Sequence, residues 1–347
     1  MNMIRRLFAI LALSLPAASF AGESAVALNA LRKITGETGV LPPPIAGRAA
    51  PAGKFKPGEG VDHSDQFPTG SRNQGDVGSC HAFASIGLLE AAYYRKYGEH
   101  QAFSDADLFL QNTVLNGNIY SGSILDRGYT YNGKADLKEG GSSITLLATG
   151  DIDFAIKHGV ATEPQYADFL GRYRRYREAE RRTLEGIERE YREMPWYVKL
   201  LYNPRTHWKK LQKDPASRKI LQNYLLGNDR AIEDQREATR RKLAGFRVVK
   251  SLHAAAPQEL KLSDARCESV GAGRAESVLA ELKAGRPVGV SYVSGAMFAS
   301  HVLIISGYTV GDDGKAVFKT RNSWGAGGNF DMFPRDMCKV HGIFSVR

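Results

Sequence analysis

The chain is 347 residues long, with 47 Lys and Arg against 37 Asp and Glu, a net charge of +10 and three cysteines. No apolar run approaches the ~20 residues needed to cross a bilayer, which excludes a helical membrane-spanning protein. The positive excess is local: residues 171–247 carry 21 Lys and Arg against 11 Asp and Glu, so the rest of the chain balances at zero.

The first element is an export signal. Arg5 and Arg6 precede a short apolar run, Leu7 to Leu15, and Ser19-Phe20-Ala21 supplies small residues at −3 and −1. This pattern predicts cleavage after Ala21, in the style of a bacterial signal, and a periplasmic or extracellular protein. Residues 22–60 are rich in Ala, Gly and Pro, including Pro42-Pro43-Pro44, and are expected to form a flexible leader.

The run Asn73-Gln74-Gly75-Asp76-Val77-Gly78-Ser79-Cys80-His81-Ala82-Phe83-Ala84 is the most informative stretch. Phe83, Ile86 and Leu89 recur at helical spacing until Gly98, so Cys80 stands at a helix start. Unpaired N–H groups and the positive end of the helix dipole favour its thiolate, the attacking form. Gln74, six residues earlier, brings an amide that can stabilise an oxyanion. Farther on, Ser104 is a candidate N-cap for a helix beginning at Asp105. Asp153 to Val160 reads as a helix stopped by Gly159, and the Tyr166 region as an extended stretch after it.

Residues 171–247 are charged and helical in pattern. Helices are expected from Arg172 to Tyr197, Ile220 to Leu226 and Arg230 to Leu243, broken by Pro195, Pro204 and Pro215. The segment reads as a helical hairpin or small bundle projecting from the body. It is either a solvated face of i,i+4 Glu–Arg pairs or a docking arm for an anionic partner, a cell-envelope component or an acidic protein, with nucleic acid the weakest choice. The chain then returns to a helix from Ala275 to Ala284 and strands at Pro287–Val293, Val302–Tyr308, Val317–Arg321 and Ile343–Val346. An exported protein with three cysteines often keeps one reactive thiol. Either Cys267 and Cys338 pair, with Cys80 free, or both stay reduced. Cys338 and His341 are too few ligands for a zinc site.

The run around Cys80 resembles the active-site segment of papain-like cysteine peptidases. Ser300 to Tyr308 resembles the strand carrying that family's catalytic histidine, here His301. Phe318 to Gly325 resembles its Asn-Ser-Trp-Gly segment, with Asn322 and Trp324. The order Cys, His, Asn is the family's. The 221 residues from Cys80 to His301 exceed the usual roughly 130–150; without 171–247 they shrink to 144. The resemblance covers about 61–170 and 246–347. It implies an α+β fold of two domains with a cleft between them. The left half (61–170) would be helical, the right half (248–347) β-rich, and 171–247 a helical insertion. The leader 22–60 would then be a reduced prosegment, or the enzyme is controlled another way.

By the same resemblance, Cys80 attacks a peptide carbonyl, and His301 pairs with the thiolate and protonates the leaving amine. Asn322 orients the imidazole and Trp324 shields that contact from water. The Gln74 side chain and the Cys80 N–H form the oxyanion hole. The backbone of Gly140-Gly141-Ser142 pairs with an extended polypeptide substrate. No cofactor and no metal is implied. The chain departs from the family at Val77, commonly cysteine, at His81, commonly tryptophan, and at Lys138 and Glu139, where a partner cysteine would stand. His81 points about 100° from Cys80 on the helix and is expected to be a packing or polar substitute rather than a second base. The competing functions are another amide-bond enzyme, a transpeptidase or cell-wall amidase, and a non-catalytic adaptor acting through the basic segment.

Overall fold

The computed structural model describes residues 56–75, 77–115, 143–163, 166–199, 214–227, 231–253, 264–294 and 299–347. The signal 1–21, most of the leader, Lys138, Glu139 and Gly140-Gly141-Ser142 lie outside them. The chain divides into two compact units, one of Met1–Leu41 with Tyr173–His207, the other of Pro42–Arg172 with Trp208–Arg347.

The larger unit is built on helix α1, Cys80–Tyr97. Ala, Leu and Ile dominate its sequence, and its residues are buried all round as far as Tyr93, so it is a core helix rather than a surface one. Arg95 and Lys96 complement the dipole in its last turn, and Gly98, at φ 71°, ends it in the left-handed conformation. Gly87 sets how closely a strand can approach: a Cβ there would lie 2.5 Å from Ile304 Cδ1. The loop before α1 is tied down by Arg72, which donates to Glu90 Oε1 (2.7 Å), Asp105 Oδ2 (3.1 Å) and the Phe103 carbonyl (3.0 Å).

Helix α2, Asp105–Leu108, is capped by Ser104, whose hydroxyl accepts from Asp107 N–H at 3.0 Å, and it continues as π-helix over Phe109–Leu115. Helix α3, Ser143–His158, stops at Gly159. Helix α4 runs Tyr166–Glu193. The extended stretch expected around Tyr166 is therefore helical. The Tyr166 ring packs edge-on against Phe83 at 4.7 Å and its hydroxyl meets Ser79 Oγ at 2.7 Å, tertiary contacts that local pattern does not reveal.

Two further helices of the basic segment belong to this unit. Asp214 caps the one at Pro215–Leu226, accepting from Ser217 N–H at 3.0 Å. Pro215 therefore opens a helix rather than breaking one, the N1 position that tolerates its missing N–H. The next, Ala231–Leu243, packs into the body. Its buried Arg236 binds the Asp107 carboxylate through two nitrogens, Nε at 3.0 Å. Its Thr239 hydroxyl donates to the Val160 carbonyl at 2.5 Å. The segment 171–247 is thus not one projecting arm; its second half is part of the packed body.

The smaller unit contains the rest of α4 and a short helix, Trp196–Lys199. Glu178 and Arg182 form an i,i+4 pair at 2.8 Å on its exposed face, and Lys199 Nζ caps the Arg192 carbonyl at 2.8 Å.

The described strands form one antiparallel sheet: β1 (Gly60–Asp62), β2 (Val248–His253), β3 (Val288–Ser294), β4 (Ala299–Val310), β5 (Ala316–Arg321), β6 (Asp331–Met332) and β7 (Val340–Val346). The order is β2-β7-β3-β4-β5-β6, with β1 on β4. Helix Asp264–Lys283 packs beside it. The chain is α+β, helices first and an antiparallel sheet after. No helix among the described residues is long and apolar enough to cross a membrane.

Cys267 and Cys338 form a disulfide, with Cα atoms 5.1 Å apart, and Cys80 is the free cysteine. The bridge closes 71 residues of chain. Losing that constraint on the unfolded state is worth about 4 kcal/mol. Cys338→Ser is expected to lower the denaturant midpoint accordingly; an unchanged midpoint under oxidising conditions would refute this.

Candidate active site

Strand register and one loop assemble the site. Asn73 bridges Trp324, Gln74 N–H donates to the Ser323 carbonyl at 2.7 Å, and the Ser323 hydroxyl donates to Gln74 Oε1. The segment before α1 is thereby fastened to the segment after β5. Gln74 Nε2 donates to the Val77 carbonyl at 2.7 Å. A carboxamide has two N–H bonds, so one is left for an oxyanion. Val77, where a cysteine was the family habit, is buried.

His301 sits on β4 and is buried, 6 % exposed. Its Nε2 donates to Asn322 Oδ1 at 2.7 Å. An amide oxygen can only accept, so the ring proton belongs on Nε2 and Nδ1 is the basic nitrogen. The Asn322 amide is itself fixed: Nδ2 donates to the Gly328 carbonyl at 3.0 Å, and Oδ1 also accepts from Ser323 N–H at 2.8 Å. Trp324 stacks on the imidazole, centroids 4.5 Å apart and planes at 22°.

Cys80 is buried at the first position of α1. The backbone N–H groups of Val302, His81 and Cys80 face its sulfur and favour the thiolate. Val302 follows His301 directly, so the sulfur lies against the strand that carries the histidine. Burial outweighs those donors and pushes the thiol up to about 11. Burial likewise pushes His301 down to about 4, against the pull of Asn322. Among the described residues no hydrogen bond joins the sulfur to the His301 ring. Burial thus works against the ion pair that the resemblance implies, while the three backbone amides and Asn322 work for it.

The His301 shift has a sign that can be measured. Unfolded histidine protonates near 6.5, folded His301 only near 4. The unfolded chain binds the extra proton first, so stability present above pH 6.5 is lost as pH falls towards 4, by up to ~3 kcal/mol. His301→Gln is expected to show a shallower loss over that window in denaturant titrations; equal slopes would contradict it.

Two neighbours carried no signal in the motif. Tyr292 pairs with His301 across β3 and β4, its ring edge-on to the imidazole at 5.7 Å. That pairing follows from register alone. Ser323 belongs to the Asn-Ser-Trp-Gly segment, but its hold on Gln74 was not readable there. The structure brings Gln74, Cys80, His301, Asn322 and Trp324 into one region; Gly140, Gly141 and Ser142 lie outside the described residues.

No family model matches the chain. A curated cathepsin L of Sarcophaga peregrina is 36% identical over 63 residues, 18% of this chain. The chain spans 19% of the length of that relative. The chain resembles papain-like cysteine proteases. Among solved structures, the bromelain protease from Ananas comosus in complex with the inhibitor E64 is 15% identical, covering 83% of this chain and 97% of its own, with a TM-score of 0.37. Digestive procathepsin L 3 of the Tenebrio molitor larval midgut is 11% identical, covering 100% and 99%, with a TM-score of 0.42. The proform of the ragweed cysteine protease Amb a 11 is 16% identical, covering 99% and 86%, with a TM-score of 0.40. At these scores the functional reading rests on the residues of the site.

Proposed function

We propose that this protein is an exported cysteine peptidase that cleaves polypeptides through a thioacyl intermediate. The observation that carries the reading is the imidazole of His301, held by Asn322 and Trp324 on the strand whose next amide faces the Cys80 sulfur. In the reaction, the Cys80 proton passes to His301 Nδ1 as the sulfur bonds to the peptide carbonyl carbon. The C–N bond then breaks, and Nδ1 returns the proton to the leaving amine. Water adds to the thioester, its proton taken by Nδ1 and delivered to the departing sulfur. The free N–H of Gln74 and the Cys80 backbone N–H stabilise both tetrahedral oxyanions, donors typically worth ~10²–10³ in rate each. The backbone at Gly140-Gly141-Ser142 holds the substrate as an added strand. The Arg5-Arg6 signal with cleavage after Ala21 directs export, and the basic segment favours an anionic partner, a contact that salt should weaken.

The test is labelling of the mature protein with an epoxide or vinyl-sulfone probe, followed by a peptide-library cleavage profile. Wild type should label at Cys80 and cleave peptides; Cys80→Ala should do neither while melting normally. Full labelling of that variant removes the assignment. Labelling without any cleavage by wild type points instead to another amide-bond chemistry at the same thiol.

A further inference from the structure

The sheet stops short of the residue that holds the His301 ring. Strand β6 pairs with β5 at Phe318 and Lys319, so that ladder ends before Thr320 and Asn322. Side chains take over from there. The Thr320 hydroxyl donates to the Phe330 carbonyl and accepts from the Phe330 N–H at 3.0 Å. The Asn329 side-chain oxygen accepts from the Asn322 N–H at 2.8 Å and from the Ser71 hydroxyl at 3.0 Å. A backbone N–H can only donate, so the atom facing it is the carboxamide oxygen and not the nitrogen. The Gly328 carbonyl, one residue earlier, accepts from Asn322 Nδ2 at 3.0 Å. Residues 328–330 therefore grip Asn322 by its backbone and by its side chain. They also reach His301 by a second route. The Phe330 ring lies 6.3 Å from that of Tyr292, which meets the imidazole edge-on at 5.7 Å.

We propose that Asn329 is a positioning residue for the base: its side-chain oxygen sets the backbone of Asn322, and through it the His301 ring, and ties both to the loop that carries Gln74. The contacts are continuous. Asn322 Oδ1 accepts from His301 Nε2 and from Ser323 N–H together, so a shift of the backbone at 322 moves that oxygen off the ring. Ser71 stands three residues before Gln74. One oxygen thus joins the segment of the oxyanion donor to the segment that orients the base, beside the contacts of Gln74 with Ser323. Asn329 itself is exposed, so truncating it opens no cavity in the core. What is lost is the hold on Asn322, and a misplacement of about 1 Å by a group away from the chemistry can cost as much as ~10² in rate.

The inference rests on His301 as the base of the proposed peptidase. It is read first without substrate, so the two can fail separately. The full chain is made with isotope-labelled histidine, and the His301 Nε2 proton is followed by NMR as it exchanges with water; His301→Gln identifies the signal by removing it. Asn329→Ala is expected to speed that exchange about tenfold. Asn329→Asp keeps an oxygen that accepts from both donors, and should stay within about twofold of wild type. A general loss of stability would move both variants alike, in step with their melting curves. On a peptide substrate, Asn329→Ala should lower kcat about tenfold and leave KM within about twofold, because it disturbs the base and not the binding of substrate. A wild type that cleaves nothing removes the peptidase reading and leaves the ring measurement to decide this inference. Should Asn329→Ala not fold, Ser71→Ala takes its place, with exchange expected to rise about threefold. Unchanged exchange in a folded Asn329→Ala, or in Ser71→Ala where that replaces it, overturns the proposal. So does Asn329→Asp exchanging as fast as Asn329→Ala, or a kinetic loss confined to KM.

Discussion

Replacing His301 with alanine is expected to lower kcat/KM for a small peptide by at least about 10³-fold, with the fold intact. The size follows from the loss of the base. Burial disfavours an isolated thiolate, so without Nδ1 the Cys80 proton loses the acceptor that the site supplies in the attacking step. Asn322→Ala should cost less. It frees the ring to turn and to change tautomer, but Trp324 still stacks on it. His81→Ala should cost least of the three, because its ring nitrogen serves Asp151 and not the substrate. Steady-state assays with matched melting curves decide the ranking. If His81→Ala proved as damaging as His301→Ala, the wrong histidine would have been assigned as base.

Arg236→Ala is expected to destabilise the protein by about 3–5 kcal/mol, the cost of leaving a buried carboxylate without its cation. Asp107 is fully buried, and besides the two Arg236 nitrogens its Oδ2 accepts from Ala161 N–H at 2.8 Å. Asp107→Asn combined with Arg236→Ala should recover part of the loss, since the stranded charge is then gone. Denaturant midpoints measure both. A loss below about 1 kcal/mol for the single variant would mean that Ala231–Leu243 is peripheral, as its sequence suggests. The same contact predicts that excising 171–247 whole would unfold the body rather than trim an arm.

The site was legible because its chemistry is written in short runs. Cys80 with Gln74 six residues earlier, and Asn322-Ser323-Trp324-Gly325, each carry their meaning within about a dozen residues, and Ser104 and Gly159 announce a cap and a stop. The parts that were not legible depend on distant partners. Arg236 sits in a helix as charged as any solvated one, and only the fold reveals that this arginine faces Asp107 while Arg240 and Arg241 pair with Glu237 at the surface. Tyr166 opens a helix because Phe83 and Ser79 receive it. His81 was expected to be a packing or polar substitute, but the group that receives it was not readable, since Asp151 lies 70 positions away. The pairing of Cys267 with Cys338 was undecided for the same reason.

The fastening of the Gln74 loop to Ser323 links residues 249 positions apart. On a ribosome adding ~5–20 residues per second, Cys80 emerges roughly ten to fifty seconds before Asn322. Throughout that interval the proposed nucleophile has neither its base nor a seated oxyanion donor. The proposed peptidase site therefore stays incomplete until Asn322 and Ser323 have emerged.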